Sequence, residues 1–284
     1  MRAGPSLEIG GFPIQFPYPL KLPRRFALFQ KASPPKEFVC VLRPSFGPLP
    51  LQEKIFYGKK RIFQTSSSSK GLLLKIPQNS SFGPPVRAIL LNQKKAQVTL
   101  YLKKGAKDLS PFVSPILFLI VYYTLVQKGG FFLHSSSVMD HGKGLLFVGP
   151  GGSGKSTIAE FFDGEKNSVV LNDDRTIVRK SGSRFRLFGT PWNSSCQSIS
   201  ARSIPLTAIF FLAHGRENHL TRLLPKEAVR RFLPELHIPS WDPIGHPILL
   251  SLALEVCTKI PSYSLTFTPQ KEVVSFLRNF FKEL

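Results

Sequence analysis

The chain has 284 residues, 42% of them hydrophobic and 12% aromatic, enough to bury a core and so to exclude global disorder. Lys and Arg outnumber Asp and Glu by 38 to 17, a net charge of +21 that reads either as a solvated basic surface or as an attraction for phosphates, nucleic acid, anionic lipid or an acidic protein. Cys40, Cys196 and Cys257 lie far apart with no Cys-x-x-Cys or Cys/His cluster, which excludes a disulfide framework and a zinc finger and points to a reducing, cytoplasmic setting.

The charge is uneven. Residues 1–110 carry 19 basic and 4 acidic side chains, whereas residues 111–284 carry 19 and 13. No RNP, helix-turn-helix or zinc-finger pattern accompanies it, so nucleic acid is not the expected partner. The opening stretch "MRAGPSLEIGGFPIQF" contains Glu8 and Gly/Pro breaks where a secretory signal needs an unbroken apolar run. The most apolar run, "PILFLIVYYTLV" at residues 115–126, falls short of the ~18 residues of a bilayer crossing and suits a buried helix.

In chain order, residues 1–108 read as a small strand-rich domain. "LEIGGFPIQF", "EFVCVLRP", "KIFYG", "RIFQT", "GLLLKI" and "AQVTLYL" are runs of strand length separated by Pro, Gly and Ser, with "TSSSSKG" as a loop. Residues 109–284 form a second domain. Its apolar helix is stopped by Gly129 and Gly130, and "FFLHSSSVMD" and "GLLFVG" follow as strands around an "HGKG" turn. "KSTIAEFF" reads as a helix, and "NSVVLNDDRTIV" as a strand that pauses at two carboxylates. "RFRLFGTPW" and "LTAIFFLAH" are further strands. "PKEAVRRFLPEL" and "HPILLSLALEVCTKI" have helical periodicity, "SYSLTF" closes the strands, and the final helix is amphipathic. Strands and helices mixed in this way predict an α/β layer fold.

The strongest motif lies between "GLLFVG" and "KSTIAEFF". Gly149, Pro150, Gly151, Gly152, Ser153, Gly154, Lys155 and Ser156 match G-x-x-x-x-G-K-[ST], the Walker A or P-loop pattern. Glycines let backbone amides turn inward as a nest for a β-phosphate, and Lys155 reaches the β- and γ-oxygens. The Ser156 hydroxyl is placed to ligate Mg²⁺, Thr157 to neighbour the α-phosphate, and the helix presents its positive end to the anion. The expected ligands are therefore a nucleoside triphosphate and Mg²⁺.

A phosphate-handling site also needs a carboxylate at a strand end for the metal. "SVVLNDD" supplies Asp173 and Asp174. Adjacent side chains on a regular strand point to opposite faces, so both reach one site only where the backbone bends. One then orients Mg²⁺ while the other accepts the proton of an incoming hydroxyl. No Asp or Glu occurs from Arg175 through Arg216, so any further carboxylate must come from elsewhere. His134 is a third candidate for the site, and Arg184, Arg186 and Arg202 are candidate neutralisers of phosphate charge.

The ordered set "LHSSSV", "GLLFVGPGGSGKST", "LNDD", "GTPW" and "WDP" resembles the HPr kinase/phosphorylase-related proteins, which share the phosphoenolpyruvate-carboxykinase-like P-loop fold. The resemblance spans roughly residues 110–284. It implies an ATP-dependent kinase in which His134 matches a histidine on the preceding strand, Asp173 is the base and Asp174 is the metal partner. It also implies a further acid after the Asp pair, but the corresponding "GTPWNSSCQSISARS" has none. The implied reaction moves the γ-phosphoryl of Mg-ATP to a hydroxyl of a small molecule, peptide or protein serine. A non-catalytic ATP sensor acting on a partner, and a nucleic-acid-stimulated NTPase, fit the same loop. Oligomeric state stays open, a homo-oligomer included.

Overall fold

The computed structural model describes residues 4–16, 22–31, 40–45, 47–50, 54–57, 64–68, 71–76, 86–92, 97–104, 113–193, 198–239, 242 and 245–282. Trp241 and Pro243 of "WDP", together with Cys196, lie outside them. The chain divides into two units: Met1–Thr124 with Ile238–His246, and Leu125–His237 with Pro247–Leu284.

The first unit is built on one eight-stranded sheet. Its strands are β1 (Ser6–Ile9), β2 (Phe12–Gln15), β3 (Cys40–Ser45), β4 (Lys54–Tyr57), β5 (Gln64–Ser68), β6 (Gly71–Lys75), β7 (Val86–Asn92) and β8 (Gln97–Leu102), in the order β1-β2-β3-β8-β7-β6-β5-β4. Two expectations are corrected here. Most of "TSSSSKG" is not a loop: Gln64–Ser68 is strand, paired antiparallel with β4 and β6, because ladder hydrogen bonds do not depend on side-chain polarity. The strand β7, whose leucines and isoleucine are mostly buried, adds a member to the expected set.

The second unit is mixed α/β. It contains β9 (Gly130–Asp140), β10 (Lys143–Val148), β11 (Ser168–Asn172), β12 (Arg175–Ser181), β13 (Arg184–Phe188), β14 (Ser203–His214), β15 (His219–Arg222) and β16 (Ser262–Phe267). The helices are α1 (Val113–Gln127) and α4 (Gly245–Lys259), within which the two units meet along the chain, and α2 (Lys155–Phe162), α3 (Pro225–Phe232) and α5 (Glu272–Phe280). Among the described residues no helix is long and apolar enough to cross a membrane.

The long strands β9 and β14 change partners along their length. β9 pairs with β12 through Gly130–His134 and with β11 from Ser137 to Asp140, while β14 pairs first with β13 and then with β10 and β16. β10, β14 and β16 run parallel, so their carboxyl ends lie at one edge of the sheet. Nearly all of β9 is buried, so its sequence reads as a run without alternation.

On one side of these strands α2 and α5 pack. Ile158, Ala159 and Phe162 of α2 and Val273, Val274 and Leu277 of α5 join Phe147, Val170, Phe210 and Leu265 in a single core. A fully buried side chain such as Phe162 contributes about 2–3 kcal/mol of transfer free energy, which seats the amino end of α2 beside the strand ends.

Candidate functional site

Residues 149–154 connect β10 to α2 and carry the turn geometry that the glycines allow. Gly152 has φ +79° and Gly154, at the start of α2, has φ +94°. A Cβ at Gly154 would stand 2.6 Å from Cζ of Phe267, so backbone and ring touch only because the side chain is absent. The Ser153 amide donates to the Pro150 carbonyl at 3.1 Å.

Lys155 is buried at 6% exposure and donates from Nζ to the carbonyls of Gly149 (2.6 Å) and Pro150 (3.0 Å). Burial holds its ammonium below the ordinary range, against an upward pull from the carboxylates of Glu235 and Asp174. The Lys155 carbonyl accepts from Ser136 Oγ on β9 at 2.8 Å, fixing the first turn of α2 to the sheet.

The carboxylate pair sits where β11 breaks off and β12 begins. Both strands run antiparallel to β9, and the break falls opposite Ser135, whose amide donates to the Asp174 carbonyl. Asn172, fully buried, makes the kink. Its Oδ1 accepts the amides of Asp174 (2.8 Å) and Arg175 (2.6 Å), while Nδ2 donates to the carbonyls of Thr190 and Trp192 and to Thr190 Oγ1. The turn places both Asp173 and Asp174 on the cleft beside the glycine loop, which a regular strand would not do. Asp173 is 2% exposed and accepts a hydrogen bond from Ser156 Oγ at 3.2 Å. Asp174 lies with Oδ1 3.6 Å from His134 Nε2 and Oδ2 3.6 Å from Arg175 Nε.

These groups line one cleft of about 360 Å³, with His134, Gly151, Gly152, Gly154, Lys155, Ser156, Thr157, Asp173 and Asp174 around it. It opens at the carboxyl ends of the parallel strands, the usual place for a ligand in an open α/β sheet. Of the residues singled out from sequence, Gly149, Pro150 and Ser153 complete the loop behind the lining. Arg184, Arg186 and Arg202 are not among the lining residues: Arg184 and Arg202 are exposed and Arg186 is spent on Ser203.

Several residues at or beside the cleft, Pro269 among them, escaped sequence reasoning. His214 and Phe267 end β14 and β16 and line the cleft, with His214 Nε2 2.8 Å from the Gly152 carbonyl. The rule that ligands gather at parallel strand ends could have found both. Arg175 follows the aspartates directly. Glu235 comes from a distant segment, its Oε2 3.0 Å from His134 Nδ1, and no local pattern announces it.

Ser153 Oγ is buried and has no hydrogen-bond partner in the protein, and the space a Cβ would enter at Gly151 and Gly152 is open. A buried cation and a helix amino end face one opening, so the residues fit a polyphosphate anion. Among the described residues no group of three or more His, Cys, Asp or Glu could hold a metal alone. Ser156 with one or two carboxylates suits Mg²⁺, which takes its remaining ligands from water and phosphate.

Fold and site together define a mixed α/β protein with a glycine-rich strand–loop–helix cleft flanked by paired carboxylates. A protein-family model described as SynChlorMet cassette protein ScmC matches residues 103–236. Among solved structures the chain is similar to the Hpr(Ser) kinase/phosphatase from Coxiella burnetii, at 8% identity and a TM-score of 0.35, over 54% of this chain and 97% of that one. No curated protein matches the chain.

Proposed function

We propose that the chain binds a nucleoside triphosphate, with ATP as the expected one, together with Mg²⁺, and transfers the terminal phosphoryl group to a hydroxyl of a small molecule, peptide or protein. The hydrogen bond from Ser156 to Asp173 carries this reading, because it joins the end of the phosphate loop to the carboxylate pair. Loop residues Gly151 to Thr157 would hold the phosphates. When bound, the magnesium nucleotide supplies the phosphoryl group and a charge-neutralising cation.

The side chains divide the remaining work. Lys155 exchanges two carbonyl partners for anionic oxygens, the stronger acceptors. Asp173 shares a hydrogen bond with Ser156, which favours Asp173 and Ser156 as the metal side. Asp174, nearer His134, then faces the acceptor hydroxyl and takes its proton as nucleoside diphosphate is released. This division reverses the one that the resemblance to HPr kinases implies.

The test is calorimetric titration with ATP, with and without Mg²⁺, alongside transfer of γ-labelled phosphate to acceptors in a cell lysate. Lys155→Ala should lower transfer by ~10³-fold or more, the equivalent of ~4 kcal/mol of lost transition-state stabilisation. Asp173→Asn should weaken Mg²⁺-dependent nucleotide binding, whereas Asp174→Asn should spare binding and slow transfer. Near-wild-type transfer by the lysine variant would overturn the mechanism, and bound but unspent ATP would leave a nucleotide sensor.

A further inference from the structure

Residues 175–216 contain no Asp or Glu, and a carboxylate reaches His134 from another part of the chain. After α3 the backbone makes a short 3-10 turn, Leu233–Glu235, and then runs antiparallel beside the start of β9. Leu236 bridges Leu133, and the His237 amide donates to the Phe132 carbonyl at 3.1 Å. Phe232 meets Phe131 edge to face at 5.7 Å, anchoring the turn in the core. With Leu236 opposite Leu133, antiparallel register sets Glu235 opposite His134.

The consequence is a chain of three groups. Glu235, its side chain 10% exposed, meets His134 Nδ1 at 3.0 Å, and His134 Nε2 looks toward Asp174 Oδ1 at 3.6 Å. A carboxylate only accepts, so this contact fixes the proton of a neutral imidazole on Nδ1 and leaves the Nε2 lone pair on the Asp174 side. In that tautomer Nε2 stands 3.6 Å from Asp174 Oδ1, beside the carboxylate but too far for a hydrogen bond.

We propose that Glu235 is a positioning residue that sets the tautomer and orientation of His134, holding its Nε2 edge beside Asp174. The proposal rests on the phosphoryl-transfer reading above and extends it to a carboxylate from outside the motif. A merely structural Glu235 would do none of this.

The experiment uses the full chain with ¹⁵N-labelled histidine, in wild type, Glu235→Ala and Glu235→Gln. At alkaline pH the His134 ring should be protonated on Nδ1 in the wild type and in the Gln variant, whose amide oxygen still accepts. In the Ala variant the proton should move to Nε2, where Asp174 accepts it. With ATP and Mg²⁺, Glu235→Ala should lower kcat by roughly 10–100-fold and leave the KM for ATP within about threefold, and Glu235→Gln should recover most of kcat. An Nδ1 proton unmoved in the Ala variant, an unchanged kcat, or equal losses in the Ala and Gln variants would overturn the proposal. If the wild type binds no ATP, the phosphoryl-transfer reading fails, and the proposal built on it fails with it. An unchanged Glu235→Ala beside a dead Lys155→Ala sinks only the role of Glu235.

Discussion

At the scale of single residues, Asn172 does the most for the site without lining it. An apolar strand that meets two carboxylates would normally send them to opposite faces. The Asn172 side chain prevents this by accepting two successive amides and donating to the segment around Thr190 and Trp192. Asn172→Ala would remove those partners, leaving the two amides partly buried and the carbonyls buried, at about 1–3 kcal/mol for a fully buried group left unsatisfied. We expect a loss of roughly 3 kcal/mol in urea unfolding, accompanied by weaker Mg²⁺-dependent nucleotide binding. Unchanged stability would show that the kink is held by the strands alone.

At the scale of elements, the junction of β10 with α2 depends on one backbone conformation. Gly154 opens α2 in the left-handed region and presses on Phe267 of β16. Gly154→Ala should cost about 1–2 kcal/mol from the dihedral alone. It should also push the loop off the ring and weaken nucleotide affinity by roughly tenfold or more, since small misplacements at a positioning loop are costly. Gly151→Ala is the control: nothing lies within 4 Å of its Cβ, and its stability should stay within about 0.5 kcal/mol of wild type. Thermal unfolding and calorimetry on the two variants separate loop strain from helix propensity. Equal behaviour would remove the role given to the Gly154 conformation.

At the scale of the whole molecule, pH reads out buried groups. Burial, with Arg175 and His134 nearby, pushes the His237 imidazole down from 6.5 to about 4. Between those values the unfolded chain binds a proton that the folded chain refuses, so stability falls as pH drops. The loss from this residue reaches on the order of 3 kcal/mol by pH 4. His237→Gln should flatten the stability profile across that window, and an unaltered profile by urea unfolding would rule His237 out as its source. Asp140 acts lower. Burial would raise its carboxyl, but hydrogen bonds from Arg278 of α5, Ser168 and His141 outweigh this and keep it below its ordinary 3.8. Its contribution is present above that value and disappears only as pH falls below it.

Residues 144–162 alone determined the strand, the loop and the helix, because β10 and α2 are local in sequence and their apolar periodicity, glycines and lysine follow directly from backbone geometry. The same holds for the strand ending at Asn172, and for the placing of His134 on a strand of the hairpin that precedes the loop. What only the tertiary structure decided is long-range. The bend that brings both aspartates to the cleft needs Thr190 and Trp192, and the arrival of Glu235 opposite His134 needs a chain reversal about 100 residues later. The strand character of the serine run was likewise fixed by ladder pairing with β4 and β6 rather than by its side chains. Local propensity cannot encode such partners, because a hydrogen bond across the fold depends on which strands become neighbours, and packing alone settles that.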